Sequence, residues 1–130
     1  MTGALNVVLD TNVLVSALWS ENGNPAKIAR MIPDKKIIPH FCEAILLEYR
    51  TVLLRPAFHF SPAQVDDLLG KIIKHGKNID AVKSDIPMPD ESDRVFYDIA
   101  EAAGAYLITG NKKHYPSDPA ILTPVEFLSL

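Results

Sequence analysis

A chain of 130 residues, 48% of them hydrophobic and 22% charged, has the composition of a folded domain with its own core, which excludes a disordered or collagen-like chain. The single cysteine, Cys42, excludes an internal disulfide framework and a multi-cysteine zinc cluster. The formal net charge of −3 excludes binding of nucleic acid by bulk electrostatics alone. It does not exclude a nuclease, whose carboxylates lower the net charge and whose bound cations reverse the local field.

No apolar run approaches the roughly 18 residues of a membrane span. The start, Met1 to Asn6, lacks the basic and apolar regions of a signal peptide, so a cytoplasmic location without a membrane partner is expected. No repeat, low-complexity tract or linker divides the chain, and residues 1–130 are read as one domain. The run Val7-Val8-Leu9 predicts a buried strand ending at Asp10, where the chain emerges at the sheet edge. Thr11 and Asn12 offer capping chemistry for a helix beginning near Val13. Pro25 suits the first turn of a short helix from Ala26 to Met31, and Lys36-Ile37-Ile38-Pro39 reads as a second strand closed by its proline.

From Phe41 to Arg55 the apolar residues Ile45, Leu46, Tyr49, Val52 and Leu53 repeat at helical spacing until Pro56. Ser61-Pro62 with Gln64 marks another helix start, whose stripe of Val65, Leu68, Leu69, Ile72 and Ile73 runs to Gly76. Asn78 to Val82 is expected as a third strand, and Ser84 to Ser92, with Pro87 and Pro89, as a loop. A helix is expected from Asp93 to Ala103, closed by Gly104. Tyr106-Leu107-Ile108 and Ile121-Leu122 are further strands, and Pro124 opens a terminal helix or turn carrying Phe127 and Leu128. This alternation predicts an α/β protein, a three-layer α/β/α sandwich around a mostly parallel sheet.

In such sheets, sites form outside the carboxyl ends of the strands. Asp10 and Asn111 occupy strand-exit positions. A charge directly after a buried strand costs desolvation unless it is paired or bound to a metal, which singles out Asp10. Asp93 at a helix start is also explained by the helix dipole, and Glu48 by a solvated helix face paired to a nearby cation. Trp19, in Ala17-Leu18-Trp19-Ser20, is read either as an exposed anchor or as a core residue.

Taken together, the residues resemble the PIN domain family. Val7-Val8-Leu9-Asp10-Thr11-Asn12-Val13-Leu14-Val15-Ser16 resembles its opening motif; Leu46-Leu47-Glu48-Tyr49 and Asp90-Glu91-Ser92-Asp93-Arg94-Val95-Phe96 carry its second and third acids; and Ala105-Tyr106-Leu107-Ile108-Thr109-Gly110-Asn111 resembles its Thr-Gly-Asp segment. The likeness runs nearly end to end and is strongest to the bacterial toxin components of toxin–antitoxin systems. It implies a ribonuclease using Mg²⁺ or Mn²⁺, an RNA substrate, an antitoxin partner and a homodimer. Asp10, Glu48 and Asp93 would be metal ligands, with Asn111 completing the catalytic set. Thr11, Asn12 and Thr109 would hydrogen-bond the carboxylates, and Arg94, Lys112, Lys113 and His114 would contact the RNA backbone.

One departure stands out. Where many members carry a fourth aspartate this chain has Asn111, an amide whose oxygen can face a cation but brings no charge. Asp98, Asp90 and Glu91 are weaker substitutes for it, Asp98 because five residues is poor spacing for one helical face. Two other enzyme classes fit worse. Haloacid-dehalogenase-type phosphatases place a second aspartate where this chain has Asn12, and no glycine-rich phosphate loop follows the first strand as dinucleotide binding requires. The rival from another class is a PIN-fold interaction module that has lost its activity, for which Asn111 is the argument.

Overall fold

The computed structural model describes residues 3–130. Five strands, β1 (Leu5–Leu9), β2 (Ile37–Phe41), β3 (Lys77–Asn78), β4 (Tyr106–Ile108) and β5 (Ile121–Leu122), form one sheet in the order β3-β2-β1-β4-β5. Every pairing is parallel. The helices are α1 (Thr11–Trp19), α2 (Asn24–Arg30), α3 (Glu43–Leu53), α4 (Pro62–His75), α5 (Arg94–Ala103) and α6 (Pro124–Leu128). The three-layer α/β architecture expected from the alternation of elements is therefore present, and the sheet is wholly parallel.

Parallel strands covered on both faces read as continuous apolar runs, and Val7, Val8 and Leu9 of the central β1 are buried. Helix α5 packs against β1, β2 and β4, burying Phe96, Ile99 and Ala100, and Gly104 closes it in the left-handed conformation at φ 61°. Strand order turns around at β1. The chain proceeds from β1 through β2 to β3 on one side, then crosses to β4 and β5 on the other. The crevice between the ends of β1 and β4 is thus the switch point at which parallel sheets build their sites.

Several boundaries differ from the pattern in the sequence. The first helix starts at Thr11, with Asp10 in the capping position but making no side-chain cap, its Oδ2 instead accepting from the hydroxyls of Thr109 and Tyr115. Strand β2 does not stop at Pro39 but runs through it to Phe41. Its pairing with β3 begins only at His40, so the missing N–H precedes that ladder. Phe41 therefore belongs to a strand, and α3 starts at Glu43. The third strand is Lys77–Asn78 rather than 78–82, and residues 79–90 form an irregular connection held by α5. At Pro62 the expected capping box is formed, Ser61 Oγ accepting from Gln64 N and Gln64 Oε1 accepting from Ser61 N.

Candidate active site

The exits of β1 and β4 are tied together by side chains. Asp10 N donates to Ile108 O at 2.9 Å, extending the ladder one residue past the strand. Thr109 Oγ1 donates to Asp10 Oδ2 at 2.8 Å and accepts from Asn111 N at 3.1 Å. Gly110 N donates to Asn12 Oδ1 at 3.0 Å, while the Asn12 amide lies 3.5 Å from Asp10 Oδ2. The Thr-Gly-Asn turn and the Asp-Thr-Asn turn thus hold each other, and the buried carboxylate of Asp10 sits between them.

Asp93 arrives from α5, at whose N-terminus it stands. Its Oδ2 is buried and has no hydrogen-bond partner. His114 Nδ1 lies 3.3 Å away, near enough for a charge interaction but without the alignment of a hydrogen bond. Burial, then the charges of Asp10 and Asp90, and more weakly Glu48, push the Asp93 carboxyl up to about 6, against the opposing influence of His114. A carboxylate opposed by other carboxylates, with an oxygen left open, is the donor chemistry that a hard divalent cation satisfies.

Glu48 projects from α3 and is held by Thr11 Oγ1, which donates to Glu48 Oε2 at 3.2 Å. Among the described residues no three His, Cys, Asp or Glu side chains already close on one point as a metal cage. Asp10 and, more weakly, Glu48 act on Asp93 through their charges, and Glu48 is tied to the first helix by Thr11. The residues fit a cation bound chiefly by two carboxylates, with a third within electrostatic reach.

The other residues singled out in the sequence divide. Asn111 Oδ1 accepts from Lys113 N, capping the short turn Lys112–His114, and Asn111 Nδ2 lies 3.0 Å from His114 Nε2. Its amide is spent on the turn that carries His114 towards Asp93. Lys112 pairs with Glu126 at 3.1 Å, whereas Lys113 is exposed and makes no ion pair among the described residues. Arg94 is turned inward: its Nε and Nη2 bond both oxygens of Glu91, and its Nη1 bonds Ser84 O and Oγ. The phosphate contact expected of Arg94 gives way to a strut for the 79–90 connection.

Asp98, Asp90 and Glu91 do not replace a fourth acid. Asp98 Oδ2 accepts from Ser84 N, Asp90 Oδ1 caps Ser92, and Glu91 holds Arg94. Trp19 is exposed rather than in the core. A cavity of about 370 Å³ lined by Tyr97, Glu101, Tyr106 and Asp118 lies by the start of β4, away from these carboxylates.

Two further tyrosines support the site, and only one of them carried a signal in the sequence. Tyr115 is buried and donates its hydroxyl to Asp10 Oδ2 at 2.9 Å. Burial and the charges of Asp10 and Asp93 raise its pKa far above the ordinary value, so it remains a donor. Tyr49, one residue after Glu48, donates its hydroxyl to Leu9 O beneath the site. Spacing placed Tyr49 on the buried stripe of α3, but nothing local distinguishes Tyr115 from any loop aromatic.

Comparison with known proteins adds three findings. A family model described as PIN domain matches residues 6–113. An uncharacterized protein of Methanocaldococcus jannaschii, MJ1680, is 31% identical over 117 residues, spanning 83% of this chain and 72% of the relative. A solved structure described as VapBC2 from Rickettsia felis bound to a DNA fragment from their promoter is similar in fold, with a TM-score of 0.59. That match covers 92% of this chain and 97% of the other at 16% identity.

Proposed function

The chain belongs to the PIN domain family, whose members are generally nucleases, and from that premise we propose that it is a metal-dependent endoribonuclease acting at the Asp10–Asp93 crevice. The observation that carries this reading is the buried, unpartnered Oδ2 of Asp93 opposite the carboxylate of Asp10. Asp10 and Asp93 are assigned to hold Mg²⁺ or Mn²⁺, with Glu48 joining directly or through water on release from Thr11. Such an ion, when bound, supplies positive charge for the phosphodiester oxygens and lowers the pKa of water.

The protein's own residues do the rest. Thr109 and Tyr115 fix the orientation of Asp10 by donating to one oxygen, Oδ2, so that Oδ1 is the oxygen left to turn towards the crevice. Asn12 and Asn111 shape the two turns flanking it. His114 lies 3.3 Å from Asp93 at the rim, and with exposed Lys113 it is assigned to contact the RNA backbone.

A place as the toxin of a toxin–antitoxin pair, working as a homodimer in the cytoplasm, is the reading the family likeness favours, and the fold shared with the VapBC2 structure supports it. An inactive interaction module is the second reading. It is favoured by the engagement of Asn111 in a turn and by the lack, among the described residues, of three ligand side chains gathered at one point.

The deciding experiment is cleavage of a mixed RNA pool in Mg²⁺ or Mn²⁺, with chelator and Asp10→Asn as controls. Divalent-dependent cleavage that falls at least about a hundredfold in Asp10→Asn is expected, since the substitution removes a ligand charge. Cleavage that survives the substitution moves the site elsewhere, and none in any metal favours the interaction module.

A further inference from the structure

At the far end of α1 from Asp10, three aromatic rings gather at the surface. Trp19 is 62% exposed, and its indole meets the ring of Phe58 edge-on at 5.7 Å and that of Phe60 at 6.0 Å. Phe58 and Phe60 are themselves stacked at 5.6 Å and 16°. The residue between them, His59, is in the left-handed region at φ 58°. Hydrophobic burial does not account for the arrangement, because the largest of the three rings stays in solvent.

Charge identifies the occupant. Arg55 and His59 are exposed in the same connection, and neither makes an ion pair among the described residues. In a chain of net charge −3, an unpaired guanidinium, that of Arg55, beside exposed rings is the combination that binds single-stranded nucleic acid, the rings stacking on bases and the cation meeting a phosphate. The nine residues of α1, Thr11 to Trp19, span roughly 13 Å along the helix, a distance that a few nucleotides bridge. We propose that Trp19, propped by Phe58 and Phe60 and flanked by Arg55 and His59, is a base-stacking platform that receives unpaired bases of an RNA strand whose phosphodiester lies at the Asp10–Asp93 crevice. This rests on the ribonuclease reading and adds to it the surface that takes the bases.

Trp19 is the only tryptophan of the chain, so its emission reports the platform directly. The native protein, in chelator to prevent cleavage, is titrated with a labelled single-stranded RNA of about a dozen nucleotides and with the same sequence as a duplex. Saturable quenching of Trp19 by the single strand, tracking the anisotropy of the label and weak with the duplex, is expected. Trp19→Ala should weaken binding by roughly tenfold or more, Trp19→Phe should keep most of it, and Arg55→Ala should weaken it less. Affinity unchanged in Trp19→Ala overturns the proposal. So does an emission that shifts with protein concentration and ignores RNA, since the patch is then a contact between copies. A parallel cleavage assay separates the two readings: Trp19-dependent binding without cleavage leaves the platform and removes the nuclease, and cleavage with Trp19-independent binding does the reverse.

Discussion

The carboxyl group of Asp93 is the most informative residue of the molecule because its surroundings oppose its own ionisation. Its pKa in the fold, about 6, lies above the ordinary value of 3.8. Asp93 therefore favours the metal-free fold when protonated, and that contribution is lost as pH rises from about 4 through 6. Two consequences can be measured. Divalent-ion binding, followed by calorimetry, should tighten as pH rises from about 5 to 7, because proton and cation compete for the same oxygens. Asp93→Asn should raise metal-free stability at pH 7 by about 1 kcal/mol in urea denaturation while abolishing the stabilisation that Mn²⁺ confers on the native protein. A variant less stable than the native chain at pH 7 would show that Asp93 is paired rather than opposed. Tyr115→Phe tests the neighbouring carboxylate. Removing the donor to Asp10 Oδ2 should cost about 1 kcal/mol of stability and roughly 10- to 100-fold in metal affinity or activity.

At the scale of elements, the first strand and its exit were legible because a buried parallel strand must be apolar throughout and must end where charge begins. The same logic placed β4, α4 and α5, whose stripes and caps are local. It failed where tertiary contact decides. Asn78 to Val82 has strand-like composition, yet pairing stops at Asn78, with Ile79 N still bonded to Phe41 O, and the chain beyond turns to the struts offered by Arg94 and Asp98. Tyr115 and the burial of Asp93 were equally invisible, since both depend on residues about a hundred positions or two elements away. The α4–β3 junction supplies a test. A Cβ on Gly76 would sit 2.3 Å from Pro39 O and 2.5 Å from Ile72 O, both backbone atoms that cannot swing aside. Gly76→Ala is expected to destabilise the fold by about 2–4 kcal/mol, whereas Gly70→Ala, with open space around it, should stabilise α4 by up to about 1 kcal/mol.

For the whole molecule, a net charge of −3 and a site made of carboxylates limit how RNA can be held. Lys112 is paired with Glu126, Arg94 with Glu91 and Arg50 with Asp66, which leaves Lys113 beside the crevice and Arg55 beside the aromatic rings as the cations best placed for phosphate. A protein that neutralises phosphates on a single strand loses affinity with salt at a log–log slope of about −0.7 per phosphate, so two such contacts give a slope of roughly −1.4. The dependence should therefore be shallow, with stacking at Trp19 carrying much of the affinity. Measured by anisotropy from low to high salt in chelator, a slope several times steeper would mean that a basic surface absent from this accounting dominates binding. Lys113→Ala and Arg55→Ala should each flatten the slope by about 0.7, while Trp19→Ala should shift the line to weaker binding with its slope unchanged. That contrast separates charge from stacking in a molecule whose overall field repels its proposed substrate.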